Sequence, residues 1–210
     1  MSQTSILLIG AGGHAKSCID VIEREGRFAV AGLIGLPGEV GSSVLGYRVL
    51  GTDETLPTML NEWPAAFISI GQIETPAPRL RIFRLLQHRR CELPVIVSPL
   101  AYVSRHATLG AGTIVMHGAI VNAGARIGCN CIVNSHALVE HDAVIADHCH
   151  IATACVINGG VHIGEGTFVG SSSTVRQGVN VGERCVIGMV QAVRADCEAD
   201  SSIPNQKRSS

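Results

Sequence analysis

From Val97 onward the chain carries Val, Ile or Leu at every sixth position: Val97, Val103, Leu109, Val115, Val121 and so on without a break to Ile187 and Val193, seventeen in all. Neither the 3.6-residue period of a helix nor the two-residue period of a plain strand makes a repeat of six, and chance would give such a run with a probability on the order of 10⁻⁸. Two residues before each aliphatic the side chain is small, as at Ala101, Ala107, Thr113, Ala119, Ala125, Cys131, Ala137, Ala143, Cys149 and Cys155. The residue after it is often Gly or Asn (Gly110, Asn122, Gly128, Asn134, Asn158, Gly164, Gly170), and the left-handed turn is expected there. Each hexad then reads as one short strand with an inward aliphatic, an inward small residue and a corner. Three hexads close a triangular coil of eighteen residues, and about five and a half coils fit between Val97 and Val193. Cys131, Cys149 and Cys185 share one inward column with Thr113 and Thr167, where a thiol serves as a compact hydrophobe.

The first part of the chain follows another pattern. Ser5–Ile9, Phe28–Ile34, Tyr47–Leu50 and Ala65–Ile70 read as strands, and 14–25 and 79–90 as helices. A further helix is expected to start from a cap at Thr52 or Asp53 and to run to about Asn61. Strands alternating with helices imply a small Rossmann-like α/β domain with a parallel sheet. The expected division is an α/β domain over 1–93, a β-helix over 94–194 and a tail over 195–210.

Composition sharpens this picture. Only 3% of the 210 residues are aromatic, as a prism too narrow for rings requires. A net charge of −1 argues against nucleic acid or a polybasic membrane surface as partner. No apolar run approaches the roughly 18 residues of a membrane helix. The run Ile6–Ile9 lacks a basic flank and is cut by Gly10, so it reads as a strand rather than an export signal. The eight cysteines include no CxxC pair; reduced thiols, no disulfides and a cytoplasmic location are expected.

Seven histidines fall in the repeat half, at 106, 117, 136, 141, 148, 150 and 162, none at an inward position, and all are expected at the surface or at corners. His141 is set apart by its neighbours Glu140 and Asp142, since an adjacent carboxylate fixes the tautomer a general base needs; Asn134 adds a neutral polar group. In the first domain, Gly10-Ala11-Gly12-Gly13-His14-Ala15 joins a strand to a helix, the setting in which glycine loops hold phosphates.

Together, the segment Gly10–Ala15, the unbroken hexad ladder and the segment Asn134–Asp142 resemble the bacterial sugar acetyltransferases of the hexapeptide-repeat superfamily. These include the N-acetyltransferases of nucleotide-linked amino sugars (bacillosamine and perosamine type) and the proteins similar to sialic acid O-acetyltransferases. The resemblance implies a left-handed β-helix, acetyl-CoA as co-substrate, no metal, and a homotrimer with active sites between subunits. It implies that His141 is the general base, oriented by Asp142 beside Glu140. It implies that His150 meets acetyl-CoA or the reacting groups, and that the Gly159 amide stabilises the oxyanion. Gly10, Gly12, Gly13 and His14 hold the sugar nucleotide, with Asn134 near the acceptor. Arg176, Arg194, Lys207 or Arg208 are candidates to meet the CoA phosphates. Two features depart from the family. The acidic pair expected after the second strand is replaced by Leu33-Ile34-Gly35-Leu36, and the usual C-terminal motif is degenerate at Ser202–Lys207.

Other readings stay open at this point: O-acetylation of a sugar or sialic acid, and a zinc enzyme of the γ-class carbonic anhydrase type. For the zinc enzyme, His136 and His141 have the right spacing but Leu100 stands where a third ligand belongs. A dinucleotide enzyme built on Gly10-x-Gly12-x-x-Ala15, and a non-catalytic trimeric scaffold, complete the set.

Overall fold

A computed structural model describes residues 3–204. The chain divides into two compact units, the first ending at Gly71 and resuming over Ala77–Pro99, the second made of Gln72–Pro76 and the chain from Leu100 on.

In the first unit, β1 (Thr4–Ile9), α1 (Gly13–Glu25), β2 (Phe28–Ile34), β3 (Ser43–Val44), β4 (Tyr47–Gly51), α2 (Leu56–Met59), β5 (Ala66–Ile68) and α3 (Ala77–His88) follow in order. The sheet runs β3-β4-β2-β1-β5, parallel except where β3 meets β4. β1 is central. Its four residues Ile6–Ile9 are fully buried, as a parallel strand covered on both faces should be. α1 lays Ala15, Cys18, Ile19, Val21 and Ile22 on the sheet and ends at Gly26, whose φ of 78° lets the chain reverse. The helix expected from a cap at Thr52 or Asp53 to Asn61 is shorter than that. Residues 52–55 form a turn closed by the Thr55 hydroxyl on the Thr52 amide (3.0 Å), and only Leu56–Met59 is helical. Asp53 is thereby left out of the helix.

In the second unit each hexad is a two-residue strand ending on its aliphatic. Strands pair in parallel with a register shift of eighteen, as in Ile120 with Leu138 and Leu138 with Val156. This makes three walls, named here by their outward residues. Face one carries Tyr102, Ile120, Leu138, Val156, Thr174 and Ala192; face two Thr108, Arg126, Val144, His162 and Asn180; face three Ile114, Ile132, His150, Phe168 and Val186. From Val115 to Val193 every repeat aliphatic is buried, and burial of each stabilises the prism by roughly 1.5–3 kcal/mol. The small column is also as expected: the Thr113 hydroxyl donates to Gly128 O and accepts from Cys131 N, and Thr167 repeats this with Gly182 and Cys185.

The corner differs from expectation in one respect. The left-handed residue is three after the aliphatic, not one: Asn130, His136, Asp142, His148, Ala154 and Ser172 all have φ between 53° and 61°. The glycine directly after the aliphatic has a different reason. A Cβ on Gly110 would stand 2.5 Å from Gly128 and Cys129 backbone atoms of the next coil, and Gly164 meets Gly182 in the same way. Those glycines permit coil-on-coil contact.

The ladder also continues past 194, into the expected tail. Ser202–Ile203 pairs with Val186–Ile187, a shift of sixteen rather than eighteen. This last coil is two residues short, which breaks the six-residue count and hides it from the periodicity.

Candidate functional site

The corner between faces one and two stacks Asn122-Ala123-Gly124, Glu140-His141-Asp142, Asn158-Gly159-Gly160, Arg176-Gln177-Gly178 and Arg194-Ala195-Asp196, one coil apart. His141 Nδ1 lies 2.9 Å from Asp142 Oδ2. A carboxylate only accepts, so this bond puts the ring proton on Nδ1 and leaves the Nε2 lone pair as the acceptor. The Asp142 side chain reaches back because its backbone is left-handed, at φ 60°. Glu140 faces the other way: its Oε2 accepts from Asn122 Nδ2 at 2.9 Å and from the His141 amide at 3.3 Å, which braces the base of the imidazole.

Directly one coil on, Gly159 gives the ring its space. A Cβ there would lie 2.6 Å from His141 Nε2, closer than side chains come. Gly159 is buried, its carbonyl accepts from Gly178 N, and its own N–H enters none of the main-chain hydrogen bonds of the coil. His141, Asp142, Glu140 and Gly159 are therefore brought together within one chain. Below them, Arg176 and Arg194 are exposed in a groove of about 410 Å³ lined also by Asn158, Thr174 and Ala192. Coils are spaced about 5 Å apart, so the two arginines stand roughly 10 and 14 Å from His141. Lys207 and Arg208 lie outside the described residues.

Asn134 and His150 lie elsewhere in this unit. His150 Nδ1–H donates to the Gln72 carbonyl at 2.7 Å, and its Nε2 accepts from Asn134 Nδ2 at 3.1 Å. The ring is buried, edge-on to Phe168 at 5.3 Å. His148 is buried too, its Nδ1 3.0 Å from Asn130 Nδ2. The expectation that all seven histidines are exposed or at open corners is thus corrected for these two. Outward positions on this prism need not face water: segment 72–76 belongs to this unit, and the Gln72 amide also donates to Gly166 O at 3.1 Å. With both ring nitrogens engaged inside the chain, His150 fastens that segment.

The glycine loop is in the first unit. Gly10, Gly12, Gly13 and His14 line a cleft of about 490 Å³ at the carboxyl ends of β1, β2, β4 and β5, where the chain, having added β2 and β4 on one side of β1, crosses over to add β5 on the other. Open α/β sheets take ligands at this place. Gly10 is required by contact: at φ 118° its Cβ would meet Ile70 at 2.7 Å. α1 starts behind Gly12 with no side-chain cap and no acid in its first turn, which suits an anion.

Comparisons with known proteins match both parts of the chain. The family described as PglD N-terminal domain matches residues 5–85, and the hexapeptide repeat of succinyl-transferase matches 160–189. PerB from Caulobacter crescentus, solved with CoA and GDP-perosamine, is similar at 32% identity and a TM-score of 0.89, with 97% of this chain and 95% of that one covered. The acetyltransferase domain of PglB from Neisseria gonorrhoeae is similar at 27% identity and 0.88, over 97% of each chain. The same domain solved with acetyl coenzyme A gives 28% and 0.86. The chain belongs to the bacterial sugar acetyltransferase family. No significant match is found among curated proteins.

The first unit of this acetyltransferase also holds candidate site residues that sequence reasoning missed. Glu39, from a short 3₁₀ turn at Pro37–Glu39, folds back so that Oε2 accepts from Leu36 N at 2.8 Å. The end of β2, read as lacking an acid, thus has one delivered from five residues further on. Asp53 and Arg81 form an ion pair at the same cleft. Arg79, fully buried, donates to Ile68 O and Ile70 O and so shapes the loop after β5. Only the pattern Pro76-x-Pro78-Arg79 at a helix start could have hinted at a buried cation. Among the described residues no group of His, Cys, Asp and Glu is arranged to hold a metal, and no helix is long and apolar enough to cross a membrane.

Proposed function

We propose that this enzyme transfers the acetyl group of acetyl-CoA to the 4-amino group of a nucleotide-linked amino-deoxy sugar by direct attack, with His141 as general base. The observation that carries the reading is the His141–Asp142 bond over Gly159, because it leaves one imidazole nitrogen able to accept a proton beside a buried main-chain amide. Acetyl-CoA supplies the acyl carbon and the leaving thiolate. The His141 Nε2 takes a proton from the sugar nitrogen as the new C–N bond forms, and returns it to the sulfur as the C–S bond breaks. The Gly159 N–H meets the oxygen that becomes negative between these steps, a contribution of several kcal/mol where such amides have been removed. Arg176 and Arg194 face the CoA phosphates along the corner groove. The first-unit cleft takes the nucleotide, with its phosphates at Gly12, Gly13 and His14. Similarity to a perosamine N-acetyltransferase favours the amine over a hydroxyl as acceptor.

The reading includes a homotrimer. Face one is an apolar wall left open in the single chain, with Tyr102 59% and Ile120 39% exposed. It has the His141 corner along one edge and the Asn134 corner along the other, so a second chain covering this face would lie beside both corners. The cytoplasm is the proposed compartment, in keeping with eight cysteines that are all free thiols.

The test is acetyl-CoA turnover against GDP-, UDP- and dTDP-linked amino sugars and free sialic acid. Turnover of an amino sugar, reduced about 10²–10⁴-fold in kcat with KM little changed in His141→Ala, is the expected result. Turnover on sialic acid alone, or an unchanged kcat in the variant, would overturn it.

A further inference from the structure

We infer that the nucleotide cleft selects guanine, read by Asp53 and Arg81. The inference rests on the proposal above that this cleft takes a nucleotide-linked sugar.

The order of strands sets the order of subsites. Gly12 and Gly13 follow β1; Glu39 lies at the end of β2, next to β1; Asp53 follows β4, next to β2. Neighbouring strands are about 5 Å apart, close to the step from phosphate to ribose and from ribose to base. Phosphates on the glycine loop therefore put the ribose hydroxyls beside Glu39 and the base beside Asp53. The Glu39 Oε2 is occupied by the Leu36 amide, which fixes the carboxylate and leaves Oε1 to accept from the ribose. In open α/β sheets an acid at this strand end serves that purpose.

At the base position the charged groups are one carboxylate and one guanidinium, already paired with each other. A carboxylate only accepts and has room for two donors beside its arginine, while a guanidinium only donates. Side by side they present two acceptor positions and one donor. The pairing edge of guanine is the complement: two donors, N1–H and the N2 amine, beside the acceptor O6. Uracil and thymine present one donor between two acceptors, which leaves a carboxylate oxygen facing a carbonyl. Adenine presents one donor and one acceptor and uses half of the set. The exposed apolar side chain of Leu36 (70% exposed) stands at the same rim, where a purine gives it more surface to cover than a pyrimidine does.

The experiment is calorimetric titration of the full chain, without acetyl-CoA, with GDP, IDP, UDP and dTDP. GDP is expected to bind about 10-fold or more tighter than UDP or dTDP. IDP, which lacks only the N2 amine, is expected to bind about 5–10-fold more weakly than GDP, a comparison that needs no variant. In Asp53→Asn the GDP affinity falls and GDP and IDP become equal; Asp53 is partly exposed, so the variant is expected to fold, and an unchanged melting temperature verifies that. UDP or dTDP binding as tightly as GDP, no binding of any nucleotide, or a GDP-to-IDP ratio that survives Asp53→Asn would each overturn the inference. Turnover confined to UDP- or dTDP-linked amino sugars overturns it while leaving the acetyltransferase reading standing. Selective GDP binding with no acetyl transfer to any sugar does the opposite.

Discussion

The prism and the α/β unit both place their chemistry in turns that follow short parallel strands, but they gather it by different rules. In the prism, position along the chain is position in space: adding eighteen moves one coil and stays in the same corner. His141 and Gly159, and likewise Glu140, Arg176 and Arg194, are thus aligned by counting, and no segment has to wander to meet another. In the α/β unit, the cleft takes the ends of four strands whose order in space is not their order in sequence, together with Glu39 from a 3₁₀ turn and Arg81 from a helix. The first arrangement gives a rigid corner, the proposed catalytic one, at the cost of fixed geometry. The second lets individual rim residues vary, which is where specificity can change without touching the machinery.

Substitutions that separate these two rules follow, the largest effect first. His141→Ala should lower kcat about 10²–10⁴-fold in steady-state kinetics, with the melting temperature unchanged, since the ring is exposed on its coil. Ile151→Ala, in the middle of the ladder, should cost about 2–5 kcal/mol in urea unfolding, because its column cannot collapse around the void; a cost below 1 kcal/mol would contradict the rigid ladder. Gly159→Ala should lower kcat by about 10-fold or more by displacing the imidazole, given the 2.6 Å approach, and an unaffected enzyme would mean that the ring does not rest on this glycine during catalysis. Ile120→Lys should dissociate the trimer in sedimentation and remove activity with it; an active monomer would refute sites shared between chains.

The smallest effect is on pH dependence. Burial pushes the Cys18 thiol up to about 12, eased slightly by Arg79, and the Cys155 thiol up to about 11, eased by amides that include Ser173. The folded state thus holds these protons more tightly than the unfolded chain, whose thiols ionise near 9. Their contribution is present below pH 9 and is lost as pH rises through 9 to about 11–12. Melting temperatures measured from pH 8 to 11 should fall, and less steeply in Cys18→Ala. If the variant parallels the parent, that thiol stays protonated in both states.

The amount that could be read ahead of the coordinates differs between the regions for the same reason. The ladder and its column of Cys and Thr were legible because the repeat records burial at fixed spacing. Where the count changes, legibility stops: the sixteen-residue last coil at Ser202–Ile203 escaped notice. The left-handed corner was misplaced by two residues because glycine marks both a turn and a close approach, and the Gly110–Gly128 contact is of the second kind. His150 was misjudged because segment 72–76, distant in sequence, buries it. Glu39 went unnoticed because it folds back to the end of β2 from beyond the strand.

Sequence alone determined the three-walled prism, the parallel α/β sheet before it and the cluster at residues 140–142, because periodic burial and adjacent residues are local facts. Tertiary structure decided what no local pattern records. It rested the imidazole of His141 on Gly159, spent both nitrogens of His150 inside the chain, and joined Asp53 to Arg81 across a cleft. Those contacts depend on which distant segments the folded backbone brings within a few ångströms, where hydrogen bonds and ion pairs act.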